Sequence, residues 1–178
     1  MVEHELPKLG VEGSIPFTRS ITPYYFCLRM NKDSPSPDLT KRASFIHWTP
    51  VTIRFSDQDS LGHVNNVAVA AFVEACRTRL IHPFLMREKY PHLDYALVHV
   101  EIDYRAEFHY PGTVDVGGRL QRIGSKSFTT AYGLFVGDRC VATAGSVNCF
   151  FDLDKRESIA PPQDVRALLE KTLAEQPS

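Results

Sequence analysis

The segment from Val67 to about Lys89 constrains the fold more than any other. Val69, Phe72, Val73, Cys76, Leu80, Phe84 and Leu85 recur at helical spacing, and Ala68, Ala70, Ala71 and Ala75 make the first half apolar nearly all round. A helix of this kind must be covered on most of its sides. The rest of the chain offers mainly strands for that cover. Val51, Ile53 and Phe55 alternate with Thr52 and Arg54, the pattern of a half-buried strand. Beyond the helix, Ala96, Val98, Val100, Ile102 and Tyr104 share one expected face. Further alternating runs cover Val114 to Gln121, Phe128 to Val136 and Arg139 to Phe151. Pro111-Gly112, Gly124-Ser125 and Gly137-Asp138 read as three successive hairpin links. Pro161-Pro162 then opens a short helix carrying Val165, Leu168, Leu169 and Leu173. The expected class is α+β, one long central helix wrapped by a curved antiparallel sheet. Such a sheet leaves an open edge, which predicts a homodimer or a dimer of dimers.

Asn65 or Asn66 is a natural cap for the start of the helix. Pro83 predicts a break near Ile81-His82. Residues 1–45 differ from the rest: Pro7, Pro16, Pro23, Pro35 and Pro37 punctuate them without any sustained period. They read as an irregular or disordered extension, leaving 46–178 as the folded domain. The extension lacks a basic start followed by an apolar core, and Glu3, Glu5 and Glu12 argue against a transit peptide. Tyr24 to Leu28 forms an apolar patch able to dock on the domain, and Met30 offers an alternative start.

Twenty Lys+Arg against 21 Asp+Glu leave a net charge of −1, so no nucleic-acid or anionic-membrane partner is expected. No apolar run approaches the ~18 residues of a membrane helix. Cys27, Cys76, Cys140 and Cys149 form no CxxC and show no zinc-ligand spacing. They read as free thiols of a reducing cytoplasm. The histidines outside the motif below (His4, His47, His82, His92, His99 and His109) also lack ligand spacing, so neither a metal nor a cofactor is expected.

Chemistry concentrates in Phe55-Ser56-Asp57-Gln58-Asp59-Ser60-Leu61-Gly62-His63-Val64-Asn65-Asn66. A carboxylate beside a helix start can serve carbonyl chemistry: it supplies the base or nucleophile, and the unpaired N–H groups of the first turn offer positive potential to an oxyanion. Any strand-to-helix loop is also rich in Asp, Ser, Gly and Asn, so composition alone leaves both readings open.

The order strand, Asp-x-Asp-x-x-Gly-His-Val-Asn-Asn, then an apolar helix with Phe72-Val73-Glu74-Ala75-Cys76-Arg77 resembles the hotdog-fold acyl-CoA thioesterases. The similarity is to their 4-hydroxybenzoyl-CoA thioesterase-like branch, which includes bacterial long-chain acyl-CoA thioesterases. It continues through Val100-Glu101-Ile102-Asp103-Tyr104-Arg105, Tyr110-Pro111-Gly112-Thr113-Val114 and Arg122-Ile123-Gly124-Ser125-Lys126-Ser127-Phe128, and spans roughly residues 48–172. The resemblance implies a hotdog fold and hydrolysis of an acyl-CoA thioester to free acid and coenzyme A without a cofactor. It places the catalytic carboxylate at Asp59, which attacks the carbonyl or activates a water. The carbonyl is polarised by the backbone N–H of Asn66, or of Val67. His63 stands in the long-chain branch's version of the motif and is a further candidate for the reaction. Some relatives have a functional His where this chain has Asn66.

Asp57, Asn65 and Val67 are expected at the substrate-binding site, with Asp57 hydrogen-bonding within the loop and Asn65 capping the helix or fixing the loop as the alternatives. Lys126, Ser125 and Arg122 mark the hairpin where relatives contact the coenzyme A phosphates, although solvated surface charge explains them equally. Glu74 and Arg77 suit an intrahelical pair, with Glu74 a minor catalytic candidate. The competing functions are a non-turnover acyl-CoA-binding protein and a hotdog hydratase or dehydratase using His63 with Asp59. Retention of Asp59 in the full motif argues against the first. The four-residue Asp-to-His spacing within a loop argues against the second.

Overall fold

The computed structural model describes residues 37–177. The Tyr24–Leu28 patch, Cys27 and Met30 lie outside them. The elements run β1 (His47–Ile53), α1 (Asn66–Ile81), β2 (Leu93–Tyr104), β3 (Gly112–Ile123), β4 (Ser127–Val136), β5 (Arg139–Asp152), β6 (Glu157–Ser158) and α2 (Gln163–Ala174). The class is the expected α+β: α1 lies against one antiparallel sheet ordered β1-β3-β4-β5-β2, with the short β6 pairing β5.

Helix α1 starts where the sequence places it. The Asn65 side chain accepts the Val67 N–H at 2.9 Å, satisfying one of the first-turn donors. The regular helix ends at Ile81, and Pro83 falls in a 3-10 turn at His82–Leu85. One face, with Val69, Phe72, Val73, Cys76, Leu80 and Ile81, is buried against the sheet. The opposite face, with Val67, Ala70, Ala71 and Glu74, is exposed. Within one chain the helix is therefore covered on one side, not on most sides.

The core divides along α1. Toward its N-terminal half, Val69, Phe72, Val73 and Cys76 meet Ile53, Val114, Val116, Tyr132 and Leu134. Toward its C-terminal end, Leu80, Ile81 and Leu85 meet Leu120, Phe128 and Phe150, and α2 adds Val165 and Leu169. Gly118 lets the helix come close, because a Cβ there would sit 2.7 Å from Cys76 Sγ. Burial pushes the Cys76 thiol up to about 11.

Four expectations change. Phe55 belongs to a 3-10 turn at Phe55–Asp57, and β1 begins earlier, at His47. The alternation of β2 breaks at a register shift between Leu97 and His99, so Val98 does not continue one face with Val100. Pro111-Gly112 makes no hairpin. Only β3, β4 and β5 form a meander, and the chain crosses between β2 at one edge and β3 beside the other. Finally, the Glu74–Arg77 pair does not form among the described residues: Glu74 points outward, while Arg77 is 5 % exposed with its Nε unpartnered.

Residues 37–45, assigned from sequence to the extension, pack on the outer face of the sheet. Phe45 lies over Gly117 and Gly133, where any Cβ would approach its ring to within 2.6–2.7 Å. Buried Arg119 donates to the Ser44 carbonyl at 2.9 Å.

Candidate active site

The loop between β1 and α1 is fixed by its first carboxylate. Asp57 is buried, and its two oxygens take the Arg54 backbone N–H at 2.7 Å and the Arg54 guanidinium at 2.8 Å. The guanidinium holds the Asp57 carboxyl below the usual carboxylate range. The Asp57 carbonyl accepts the Asn65 N–H at 2.8 Å. Asp57 thus braces the turn at both ends and lies outside the cleft lining.

The second carboxylate has a different environment. Asp59 is half-buried. Its Oδ1 accepts the N–H groups of Leu61 at 2.8 Å and His63 at 3.1 Å. Its backbone N–H donates to the His63 carbonyl at 2.8 Å, and its carbonyl accepts from Gly62 at 3.1 Å. Gly62 has φ +80°, a conformation that disfavours side chains. One carboxylate oxygen therefore anchors the loop. Oδ2 has no hydrogen-bond partner among the described residues.

Asp59 lines an open cleft of about 380 Å³ together with His63, Asn65, Asn66 and Val69. The far wall is Tyr104, Ala106, Glu107 and Phe108, at the end of β2 and in the crossover that follows. Two backbone contacts hold the walls together: the Val64 N–H donates to the Phe108 carbonyl at 2.9 Å, and His63 bridges His109 in antiparallel fashion. The His63 Nε2 lies 3.2 Å from Glu107 Oε2. His109 Nδ1 donates to the Gly62 carbonyl at 3.0 Å.

At the start of α1, the Asn66 N–H has no acceptor among the described residues. The Val67 N–H is taken by Asn65. Of the two amides expected to polarise a carbonyl, Asn66 is the open one. Within the cleft lie a carboxylate oxygen free to react, an unpaired N–H at the positive end of a helix, and an imidazole.

Asp59, His63, Asn65 and Asn66 come together as a group. Lys126, Ser125 and Arg122 do not join them. They stand exposed at the far end of β3, and its 12 residues carry them about 35 Å from the cleft along the strand. Lys126 Nζ donates locally to the Ser158 carbonyl at 2.9 Å. The sequence reading missed Tyr104, Glu107 and His109. They follow the motif by some 40 residues, and only the end of β2 and the crossover after it return them to it. No local pattern marks them.

The family described as Thioesterase-like superfamily matches residues 53–169. No curated protein matches the chain. The PA5185 protein of Pseudomonas aeruginosa is similar at 28 % identity, over 77 % of this chain and 98 % of that one, with a TM-score of 0.67. A protein of Bacillus stearothermophilus described as a predicted thioesterase is 26 % identical, over 74 % of this chain and 98 % of that one, with a TM-score of 0.66. SAV2348 of Staphylococcus aureus, solved in complex with CoA, shares the fold with a TM-score of 0.69 at 14 % identity, over 80 % of this chain and 91 % of that one.

Proposed function

The chain belongs to the thioesterase-like superfamily, and from that premise we propose that it hydrolyses an acyl-CoA thioester to a free carboxylic acid and coenzyme A. One observation carries the reading. Asp59 keeps Oδ2 unbonded while Oδ1 is pinned by two backbone amides, in the cleft where the start of α1 leaves the Asn66 N–H open.

The thioester carbonyl sits with its oxygen toward the Asn66 N–H and its carbon toward Asp59 Oδ2. Asp59 attacks the carbon directly or removes a proton from an attacking water. Negative charge grows on the carbonyl oxygen, where a preset N–H at a helix start stabilises it. Collapse breaks the C–S bond and expels the coenzyme A thiolate, which takes up a proton. His63, held beside Glu107 at 3.2 Å, lines the side from which that proton is supplied.

The acting unit is a homodimer, alone or paired again. Strand β2 ends the sheet and exposes Leu97, Val98, Val100 and Tyr104. An open edge strand of 12 residues that exposes these four apolar side chains favours pairing with a second copy. Antiparallel pairing of two β2 edges sets the end carrying the cleft of one chain beside the opposite end of the other. That is the end bearing the Lys126 hairpin, and such a dimer would bring Lys126, Ser125 and Arg122 within reach of coenzyme A phosphates at the partner's cleft.

The test is thiol release across aryl-, short- and long-chain acyl-CoAs, followed by single turnover in ¹⁸O water. Direct attack by Asp59 forms a mixed anhydride, and water opening it at the Asp59 carbonyl leaves ¹⁸O in the protein, which establishes the nucleophile. Label in the acid alone fits an attacking water or an anhydride opened at its acyl carbonyl, and trapping the anhydride with hydroxylamine separates these two. Absence of release from every class overturns the reading.

A further inference from the structure

We propose that His63, Glu107 and His109 form a binding site for one divalent transition-metal ion of the zinc class. One ligand atom from each lies within 4.8 Å of the others. A tetrahedral ion with ligands at about 2.0–2.1 Å sets adjacent ligand atoms about 3.3 Å apart. His63 Nε2 and Glu107 Oε2 already stand at 3.2 Å, the edge of such a tetrahedron. The rings of His63 and His109 have centroids 5.1 Å apart and are inclined at 60°.

The backbone sets this group in advance. His63 belongs to the loop before α1, and His109 to the crossover after β2. The two residues are bridged directly, and the neighbouring Val64 N–H donates to Phe108. The main chain carrying both imidazoles is therefore in place before an ion arrives. The Gly62 carbonyl can only accept, so the proton of His109 sits on Nδ1, which leaves Nε2 as the lone pair for a metal. A ligating His held by a carbonyl through its other nitrogen is the usual outer support of a metal site.

Two imidazoles and one carboxylate select for zinc, cobalt or nickel over calcium and magnesium, which prefer oxygen alone. A fourth coordination position is left open toward solvent and the cleft. The ion shares His63 with the proposed active cleft, so a bound ion takes the imidazole out of proton supply. Binding is read without substrate, and its failure leaves the thioesterase reading intact.

The experiment is calorimetric titration of metal-stripped full-length protein with Zn²⁺ at neutral pH. The expected result is one ion per chain, with Glu107→Gln and His109→Ala each weakening binding about 10-fold or more. His99→Ala, at the other exposed His–carboxylate pair (3.8 Å to Glu101), should bind as the parent does. Glu107→Gln disturbs no backbone contact and keeps the test valid if His109→Ala loosens the loop. Co²⁺ loading gives a second readout: ligand-field bands of a nitrogen–oxygen site are expected. Unchanged affinity in Glu107→Gln, no saturable binding, or an intense thiolate-to-cobalt band overturns the site.

Discussion

The two ends of α1 are built to opposite ends. At its C-terminal end, Leu80, Ile81 and Leu85 are sealed by Leu120, Phe128 and Phe150 from the sheet and by Val165 and Leu169 from α2. The covering layer is itself tied down: Lys89 Nζ and the Tyr90 hydroxyl reach Asp164 at 2.6 and 3.0 Å, and Arg166 donates to the Gly124 carbonyl at 2.8 Å. At the N-terminal end nothing in the described chain covers the outward side of the first turn. Val67 is 72 % exposed, Leu61 76 % and Phe55 75 %. The Asn66 amide and one oxygen of Asp59 have no partner among the described residues. Apolar side chains left bare contribute none of the burial that stabilises the other end. The sheet and α2 stabilise one end, while the other leaves a carboxylate oxygen and a helix-start amide open.

The largest expected effect separates chemistry from stability at the open end. Asp59→Asn should reduce turnover by ~10²-fold or more and leave the melting temperature close to the parent value, since an amide oxygen still accepts from Leu61 and His63. Near-normal thiol release by this variant would remove Asp59 from the reaction. At the sealed end the reverse is expected. Phe128→Ala empties a fully buried site and should cost about 3–5 kcal/mol of unfolding free energy in denaturant titration, with kcat per folded molecule little changed. A matching fall in kcat would show that the two ends are not separable.

Acid gives a subtler contrast. Lys89, then Tyr90, hold the Asp164 carboxyl below the ordinary aspartate value of 3.8. A carboxyl depressed in the folded state contributes stability that is complete above 3.8 and lost as pH falls through its folded value. Asp164→Asn should therefore flatten the acid limb of melting temperature against pH. An unchanged limb would assign acid sensitivity elsewhere, with the Arg54-held Asp57 the next group to replace. The smallest effect is expected from Leu61→Ser, which trims exposed surface beside the cleft. It should shift stability by no more than ~0.5 kcal/mol, and a loss several times larger, measured at dilutions that dissociate oligomers, would mean that Leu61 is covered within the chain.

The sequence determined much of this protein because much of it is local. The period of Val69, Phe72, Val73, Cys76 and Leu80 sets a helix whatever surrounds it. Asn65 caps it through a hydrogen bond spanning two residues, Pro83 ends its regular part, and Gly137-Asp138 turns β4 into β5. Asp59, His63 and Asn66 share one loop and one helix start, so a resemblance carried by a contiguous motif reached them together. What local pattern could not carry was decided by tertiary structure. The place of β2 beyond β5 depends on a crossover, not a hairpin; the end of β2 brings Tyr104 to the Asp59 cleft, and the crossover brings Glu107 and His109. Arg77 turns inward although helical spacing offers it Glu74. Phe45 joins the domain because Gly117 and Gly133, some 70 and 90 residues later, leave room for its ring. In each case the deciding contact lies between residues far apart in the chain. Their distance is fixed by the pairing of strands, and the spacing of neighbours along the sequence holds no record of it.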